Sequence, residues 1–291
     1  MTAFESPVGN DALATAIDEN VRRALAEDVG SGDLTGQLLP KDLRVTARIS
    51  AREQAVLCGV PWFEAVMAEL DPGIRIDWRV REGEFTESGA TVCDLAGPAR
   101  LLLTAERTAL NFLQLLSGVA TSTRRYVDAV AGTGASILDT RKTLPGLRLA
   151  QKYAVRVGGG QNQRLGLYDG ILIKENHIAA ARGVSAALHA ASTLNANVPV
   201  QIEVETIEQL AEALNAGATL ILLDNFSLPM MREAVAFNAG RASLEASGGI
   251  ELSAVRAVAL TGVDRISIGS LTKDIRATDY SMRLIPPVQP A

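Results

Sequence analysis

The chain has 291 residues, a formal net charge of −5, 47% hydrophobic residues and 21% charged residues. This globular composition excludes disorder, collagen and a coiled coil as descriptions of the whole chain, and the length fits two domains or one large α/β barrel. No apolar run reaches the ~18 residues of a membrane span, and residues 1–10 lack the apolar segment of a secretory signal. We therefore expect a cytoplasmic protein without a membrane partner.

The first hundred residues predict a small α+β unit. An amphipathic helix is predicted over residues 11–28, where Leu13, Ile17, Val21 and Leu25 recur at the helical period. A second helix, Trp62–Leu70, is predicted after Pro61. The predicted strands of this region are Val45–Ser50, Ala55–Val60, Ile74–Val80 and Thr91–Leu95.

From Ala99 to Ala131 the pattern is helical, and Gly118 is expected to break this segment into two helices. Strands and helices then alternate every ~20–30 residues, the rhythm of a parallel sheet with crossover helices. The sheet is either an open one or a barrel, and no G-x-G-x-x-G motif supports a Rossmann fold. The predicted strands are Ser136–Asp139, Ile171–Lys174, Val200–Glu205, Leu220–Asp224, Ser243–Ala246 and Arg265–Ile268. The predicted helices include Ala179–Leu194, Ile207–Asn215, Pro229–Asn238 and Leu252–Leu260.

Positive charge is concentrated between residues 141 and 174. This stretch holds seven basic residues and one acid, a local charge of +6, so the rest of the chain carries −11. An acidic chain without a basic stripe is not expected to bind nucleic acid. Cys58, Cys93, His177 and His189 have no metal-ligand spacing, which predicts neither a disulfide scaffold nor a zinc site.

In an α/β barrel the functional residues lie at the carboxyl ends of the strands. Three of the five lysines, Lys142, Lys174 and Lys273, lie at the carboxyl ends of predicted strands. A lysine in this place is often only solvated, and a strand-end Asp or Asn, such as Asn225, often only caps the next helix. The segments at the carboxyl ends of the predicted strands are 139–143, 174–177, 224–225, 245–249 and 269–273.

Glu203 and Glu205 are two residues apart in a predicted strand and would share one face. Carboxylates there must be solvated, paired or metal-bound, because burying a bare charge is too costly. Ser247-Gly248-Gly249 and Gly269-Ser270 precede helical segments, so their backbone N–H groups are candidates for binding phosphate. Gly158–Gly160 either form a flexible linker or let the chain turn Arg164 into the site. The many cations predict a substrate that bears several negative charges. The few carboxylates suit sugar hydroxyls, a divalent metal or a positive charge that develops in the transition state.

Several segments resemble the quinolinate phosphoribosyltransferase family. The most specific is Asp139–Arg148, which reads DTRKTLPGLR. It is followed by Lys152–Val155, by the triple glycine with Asn162 and Arg164, and by Leu172–His177. The resemblance covers nearly the whole chain and also includes residues 27–35, 106–112, 117–120, 203–205, 223–225 and 269–273.

This resemblance implies an α/β fold with an N-terminal α/β sandwich domain, residues 1–112, followed by an incomplete α/β (TIM-like) barrel, residues 113–274. The tail, residues 275–291, is expected to pack back on the first domain. The resemblance also implies a homodimer with a shared active site, and it leaves open whether dimers assemble into a higher oligomer. The implied reaction joins quinolinate and phosphoribosyl pyrophosphate, with Mg²⁺, to give nicotinate mononucleotide, pyrophosphate and carbon dioxide for NAD synthesis.

The resemblance also implies roles for individual residues. The expected quinolinate-binding residues are Arg107 from the neighbouring subunit, Arg141, Gln163, Arg164 and Lys174. The expected residues for the phosphoribosyl and phosphate groups are Lys142, Ser247, Gly248, Gly249, Gly269 and Ser270. The expected catalytic residues are Lys142, Lys174, Glu203 and Asp224, of which the two acids also hold Mg²⁺ directly or indirectly.

One position departs from the family's pattern. The family usually has His before the arginine, whereas this chain has Asn162-Gln163-Arg164. Gln can donate a hydrogen bond to a carboxylate but cannot carry a charge. We expect Gln163 to replace His as a binding residue; a changed substrate is the alternative. Asp274 also stands where the family often has His after Thr-Lys.

Two other functions stay open at this point. Lys174 could form a Schiff base in an aldolase-type barrel, which would leave the arginine cluster unexplained. The chain could also be a non-enzymatic homologue of the family, an anion-binding or molybdenum-transport-associated protein without a role in NAD synthesis.

Overall fold

The computed structural model describes residues 10–285. Two segments lie outside the described residues. They are residues 1–9, where no secretory signal is expected, and residues 286–291, the end of the predicted tail. No helix within 10–285 is long and apolar enough to cross a membrane. The described residues form two compact units. The amino-terminal unit comprises the described residues up to 122 with 144–158 and those after 273, and the barrel unit comprises 123–143 and 159–273.

The amino-terminal unit is built on a four-stranded antiparallel sheet in the order β12-β1-β5-β3, with a separate pair of strands, β2 and β4. The strands are β1 (Arg44–Ala51), β2 (Ala55–Val56), β3 (Arg75–Trp78), β4 (Phe85–Thr86), β5 (Thr91–Pro98) and β12 (Tyr280–Ile285). The helices are α1 (Asn10–Val29), α2 (Val60–Leu70), α3 (Ala99–Ala129, as far as residue 122) and α4 (Arg148–Val157), with a short 3₁₀ helix at Gly36–Leu38. Strand β12 lies in the tail and pairs with β1 from Thr46 opposite Ile285 to Ala51 opposite Tyr280.

The core of this unit follows from alternation in the strands and periodicity in the helices. Along β1, Ala47, Ile49 and Ala51 are fully buried while their neighbours face outward. They pack in one cluster with Trp62 and Phe63 of α2. Helix α4 contributes Ala150, Ala154 and Val155 to the same cluster, so the segment after the DTRKT motif belongs to this unit.

The predicted break at Gly118 is wrong, because α3 runs without interruption from Ala99 to Ala129. Gly118 serves packing instead. A Cβ added there would lie 3.1 Å from the carbonyl carbon of Arg276 and nearer still to its oxygen. The glycine therefore lets the chain after residue 273 lie directly against the helix. The boundary expected at residue 112 also falls inside this helix, and the compact units divide at residue 122.

The barrel unit contains a six-stranded parallel sheet in the order β6-β11-β10-β9-β8-β7. Its strands are β6 (Ser136–Leu138), β7 (Ile171–Ile173), β8 (Val200–Val204), β9 (Leu220–Asp224), β10 (Ser243–Ser247) and β11 (Arg265–Ser267). Its helices are α5 (Glu175–Ala181), α6 (Val184–Thr193), α7 (Ile207–Asn215), α8 (Leu228–Asn238), α9 (Leu252–Ala259) and α10 (Ser270–Lys273), together with the end of α3. At the edge, Gln161 bridges to Leu138 of β6.

The two faces of the barrel sheet differ in chemistry. Ile202, Val204, Ile221 and Leu223 are fully buried among the helices. The opposite face carries polar side chains, because residues two apart share a face. The strand register places Glu203, Leu222, Glu245 and Arg265 opposite one another on β8, β9, β10 and β11.

Two expectations for the barrel unit are wrong. The helix predicted over Ala179–Leu194 is two helices, α5 and α6, because Arg182 takes a left-handed conformation (φ 65°) and Gly183 follows it. Strand β8 ends at Val204, so Glu205 does not share a buried strand face with Glu203. Glu205 is exposed and its backbone N–H donates to Oε1 of Gln209, at the start of α7.

Candidate active site

A cavity of about 210 Å³ lies among the strands of the barrel unit, at their carboxyl ends. Seven of the predicted site residues line it: Arg141, Lys142, Gln163, Arg164, Lys174, Glu203 and Ser247. The remaining lining residues are Thr140, Leu172, Leu222, Glu245 and Ser267. Four cationic side chains from three separate segments therefore meet at one cavity. The strand-end argument predicts this for Arg141, Lys142 and Lys174, and Arg164 joins them from the segment after the triple glycine.

The other predicted residues do not line this cavity. Arg107 is exposed on α3 in the amino-terminal unit. Asp224 ends β9 and accepts a hydrogen bond from Nδ2 of Asn225 at 2.8 Å. The glycines and serine of the two candidate phosphate loops are Gly248, Gly249, Gly269 and Ser270, and they follow β10 and β11.

Two of the loop glycines, Gly248 and Gly269, lie close to neighbouring residues. A Cβ added at Gly269 would lie 3.3 Å from Cδ of Lys142, so this backbone packs against a lysine that lines the site. Gly248 has φ 115°, and a Cβ there would lie 3.0 Å from the backbone nitrogen of Asn225. Gly248 needs glycine because both its conformation and the close approach of Asn225 exclude a side chain. At Gly269 only the closeness of Lys142 disfavours one.

Lys174 and Glu203 form an ion pair at the cavity, with Nζ 3.1 Å from Oε2. Burial raises the pKa of the Glu203 carboxyl, Lys174 opposes this shift, and the charges of Asp224 and Glu175 add to it. Asp224 therefore acts electrostatically on Glu203 although it does not line the cavity. The backbone N–H of Lys174 donates to Nδ1 of His177 at 3.0 Å, which holds the turn from β7 into α5.

Arg164 is fixed by the loop that follows it. Its Nη1 donates to the carbonyl oxygen of Gly170 at 2.8 Å. The carboxylate of Asp169 accepts from the backbone N–H groups of Leu165 and Gly166 at 2.7 and 2.9 Å, which closes the loop. Burial and the nearby charge of Arg141 lower the pKa of Arg164. Two guanidinium groups held near each other in a partly buried place make a site for an anion.

A buried polar network lies under these cations. Asp139 is fully buried, and it accepts hydrogen bonds from the backbone N–H of Gln163 at 2.8 Å and from Nδ2 of Asn162 at 2.7 Å. The Glu245 carboxylate accepts from Nε2 of Gln163 at 2.6 and 2.7 Å and from Nε2 of Gln201 at 3.0 Å. Ser267 also donates to Glu245.

Glu245, Gln201, Ser267 and Asp139 are not among the predicted site residues, although Asp139 and Glu245 fall in the strand-end segments 139–143 and 245–249. A signal was available for two of them, since Gln201 precedes Glu203 by two residues in one predicted strand and Glu245 lies between Leu244 and Ala246 in another. Ser267 contacts Glu245 from a different strand, and no local sequence pattern predicts that contact.

Within residues 10–285, no group of three or more His, Cys, Asp or Glu side chains could by itself hold a metal ion. Mg²⁺ usually keeps several waters and binds through one or two carboxylates together with substrate phosphates. Glu203 and Asp224 fit that second kind of site and do not form a closed protein cage.

Comparison with known families matches both parts of the chain. Residues 33–117 match the family described as "Quinolinate phosphoribosyl transferase, N-terminal domain", and residues 119–283 match "Quinolinate phosphoribosyl transferase, C-terminal domain".

Individual proteins and structures agree. The chain is 44% identical to a nicotinate-nucleotide pyrophosphorylase [carboxylating] of Mycobacterium leprae over 94% of this chain and 99% of that protein. It is 41% identical to a probable nicotinate-nucleotide pyrophosphorylase [carboxylating] of Bacillus subtilis over 88% and 89%. The solved structure of the nicotinate-nucleotide pyrophosphorylase from Francisella tularensis superposes with a TM-score of 0.91 at 44% identity, covering 93% of this chain and 96% of that one.

Proposed function

The chain belongs to the quinolinate phosphoribosyltransferase family, and from that premise we infer that it catalyses the family's reaction. It transfers the phosphoribosyl group of phosphoribosyl pyrophosphate to quinolinate and releases pyrophosphate and carbon dioxide, which gives nicotinate mononucleotide for NAD synthesis. The observation that carries this inference is the cavity in which Arg141, Lys142, Arg164 and Lys174 meet the carboxylate of Glu203. Both substrates are multiply anionic, and the cavity's cations suit them.

We assign the quinolinate carboxylates to Arg141 and Arg164, with Lys174 as a further cation. A planar guanidinium binds a carboxylate through two parallel hydrogen bonds, which fixes the orientation of the ring as well as its position. Arg164 is already held by Gly170, so little side-chain freedom is lost when the acid binds.

We assign the ribose and its leaving group to the neighbouring carboxylate and lysine. The C–O bond to pyrophosphate breaks as the pyridine nitrogen approaches, and positive charge develops on the anomeric carbon. Glu203, assisted by the charge of Asp224, stabilises that carbon. Lys142 faces the departing pyrophosphate, and the Ser247–Gly249 and Gly269–Ser270 loops offer backbone N–H groups to the 5′-phosphate.

Decarboxylation follows from the bond just formed. Once the ring nitrogen carries the ribose it is a pyridinium, which accepts the electron pair left when the adjacent carbon loses its carboxylate as carbon dioxide. A proton from water then replaces the carboxylate on that carbon. No covalent intermediate with the protein is needed, so the residues position and neutralise charge throughout.

Mg²⁺ is proposed as the cofactor on the chemistry of the donor set. Glu203 and Asp224 would hold it together with the pyrophosphate oxygens, directly or through water, and it would neutralise the leaving group. We also propose a homodimer in which Arg107 of the neighbouring subunit reaches the site, in line with its exposure on α3. Cys58 and Cys93 are buried and unbridged, which suits a cytoplasmic location.

The test measures pyrophosphate release with phosphoribosyl pyrophosphate and Mg²⁺, first with quinolinate and then with nicotinate. The proposal expects pyrophosphate and carbon dioxide in equal amounts with quinolinate and no turnover with nicotinate. Turnover of nicotinate alone would indicate a different substrate, and no turnover of either would favour the anion-binding homologue. Borohydride trapping of a carbonyl substrate on Lys174 would favour the aldolase-type alternative.

A further inference from the structure

The floor of the cavity contains a carboxylate that the proposed reaction does not use. Glu245 lines the cavity, yet none of its surface is exposed to solvent. A negative charge at this place opposes the binding of an anionic substrate, since like charges brought together at a binding site cost several kcal/mol. Its presence in a site otherwise rich in cations therefore needs an explanation.

Three side-chain donors cover this carboxylate. Nε2 of Gln163 lies 2.6 and 2.7 Å from its two oxygens, Nε2 of Gln201 lies 3.0 Å from Oε2, and the hydroxyl of Ser267 donates as well. Arg265 is the register partner of Glu245 on β11, with Nε 3.7 Å from Oε2, which is beyond a good hydrogen bond. Uncharged side chains therefore donate these hydrogen bonds to Glu245, and the guanidinium of Arg265 attracts the carboxylate from a longer distance.

The chemistry of a carboxylate fixes how Gln163 is oriented. An ionised carboxylate only accepts hydrogen bonds, so the amide nitrogen of Gln163 must face Glu245. The same nitrogen also donates to Oε1 of Gln201 at 3.1 Å. Its two hydrogens therefore have acceptors inside the protein, and its carbonyl oxygen accepts the backbone N–H of Arg164 at 3.3 Å.

We propose that Glu245 and Gln163 form a screened pair: Glu245 is a positioning residue that fixes the amide of Gln163, and that amide screens the carboxylate from quinolinate. This inference rests on the proposed function and replaces the expected donation from Gln163 to the substrate. A residue without charge is sufficient for this task, because the task is to fill the acceptor positions of Glu245. The backbone contact to Arg164 ties the same amide to a residue that binds the substrate.

A double-mutant cycle separates screening from direct binding. Gln163→Met keeps the length of the side chain and removes its donors, so it uncovers the carboxylate. We expect the KM for quinolinate to rise about tenfold, with kcat and the KM for phosphoribosyl pyrophosphate within about twofold. Adding Glu245→Gln removes the repelling charge and should return the KM for quinolinate to within about threefold of the unsubstituted enzyme.

Three outcomes would overturn the proposal. If Gln163 donated directly to quinolinate, the double variant would keep the high KM, since removing Glu245 could not replace the lost bond. An unchanged KM in Gln163→Met would show that no screen exists. Equal damage to kcat and both KM values, with a lower Tm and no rescue, would indicate a structural role only.

A second pair of variants and a control complete the experiment. If Gln163→Met does not fold, Gln201→Met replaces it, because Gln201 also donates to Glu245 and is almost completely buried. This variant is measured alone and together with Glu245→Gln, with the same expected rise and rescue of the KM for quinolinate. Glu205→Gln removes an exposed carboxylate next to the end of β8 and should change nothing. The unsubstituted enzyme tests the proposed function by itself: absence of quinolinate turnover there rejects the function, whereas failure of the rescue in active enzyme rejects only the screen.

Discussion

Nζ of Lys174 lies 3.1 Å from Oε2 of Glu203, which joins the end of β7 to the neighbouring strand β8 across the mouth of the barrel sheet. The pair does not fully offset the burial of the carboxyl, because the pKa of Glu203 remains raised above its ordinary value of 4.5. The site thus keeps a carboxylate in a place that disfavours its charge. Such a group is suited to stabilise a positive charge that appears only during the reaction, as proposed for Glu203.

Glu203→Gln is expected to lower kcat by about two orders of magnitude without lowering Tm at neutral pH. The folded pKa of Glu203 is raised, so the folded state loses stability as the pH rises from about 4.5 through that raised value. Glutamine removes this penalty. Thermal unfolding across this range should show the variant equal to or above the parent at neutral pH, with the difference shrinking towards pH 4.5. A lower Tm at neutral pH would contradict the expectation, and Glu205→Gln is the matched control.

Removal of Mg²⁺ should stop turnover and leave the fold intact. The residues from 10 to 285 offer no cluster of three ligands, so the ion is expected to bind mainly through pyrophosphate oxygens. A chelator should abolish pyrophosphate release while Tm and the Kd for quinolinate stay unchanged. Activity should return with added Mg²⁺ in proportion to its complex with phosphoribosyl pyrophosphate. A fall in Tm on chelation would show instead a structural metal held by the protein.

Arg141→Ala should weaken quinolinate binding by about a hundredfold, since truncating one member of a desolvated charge pair costs 2–5 kcal/mol or more. The KM for phosphoribosyl pyrophosphate should change little if Arg141 serves the acid alone. Isothermal titration with quinolinate and steady-state kinetics measure both. Arg232→Ala, which removes an exposed arginine on α8, is the control. Full retained activity in Arg141→Ala would refute the role.

The cationic part of the cavity lining is predictable from the sequence because those residues lie at the ends of predicted strands, and parallel strands bring their carboxyl ends together. Arg141, Lys142 and Lys174 line the cavity for this reason. The contacts within the floor of the cavity, Glu245 with Gln163, Gln201 and Ser267, could not be found in this way. Glu245 and Ser267 meet only because β10 and β11 pair in one particular register, which no local pattern specifies. The prediction of a helix break at Gly118 is wrong for a similar reason, because Arg276, which packs against this glycine, lies more than 150 residues away along the chain.

Gly118→Ala is expected to destabilise the protein by about 1–3 kcal/mol, as overpacking does. At an exposed position inside a helix the same change would stabilise by about 1 kcal/mol, so the sign of the effect tests the packing. Denaturant unfolding of the variant measures it. Arg125→Ala, at an exposed site on the same helix, is the control for introducing alanine into α3. A gain in stability at Gly118 would contradict the close approach of Arg276.

Mixing two inactive variants tests whether Arg107 acts in the neighbouring subunit. Arg107 is exposed on the amino-terminal unit, whereas Arg141 lines the cavity of the barrel unit. If the active site is shared, Arg107→Ala and Arg141→Ala are each nearly inactive alone. A mixed dimer then has one site that receives both arginines and one that receives neither. After unfolding and refolding of an equimolar mixture, half of the dimers are mixed, so activity should return to about one quarter of that of the unsubstituted enzyme. Recovery would be absent if both arginines served the site of their own subunit. Full activity of Arg107→Ala alone would contradict the proposal at the first step, because the residue would then have no part in the site.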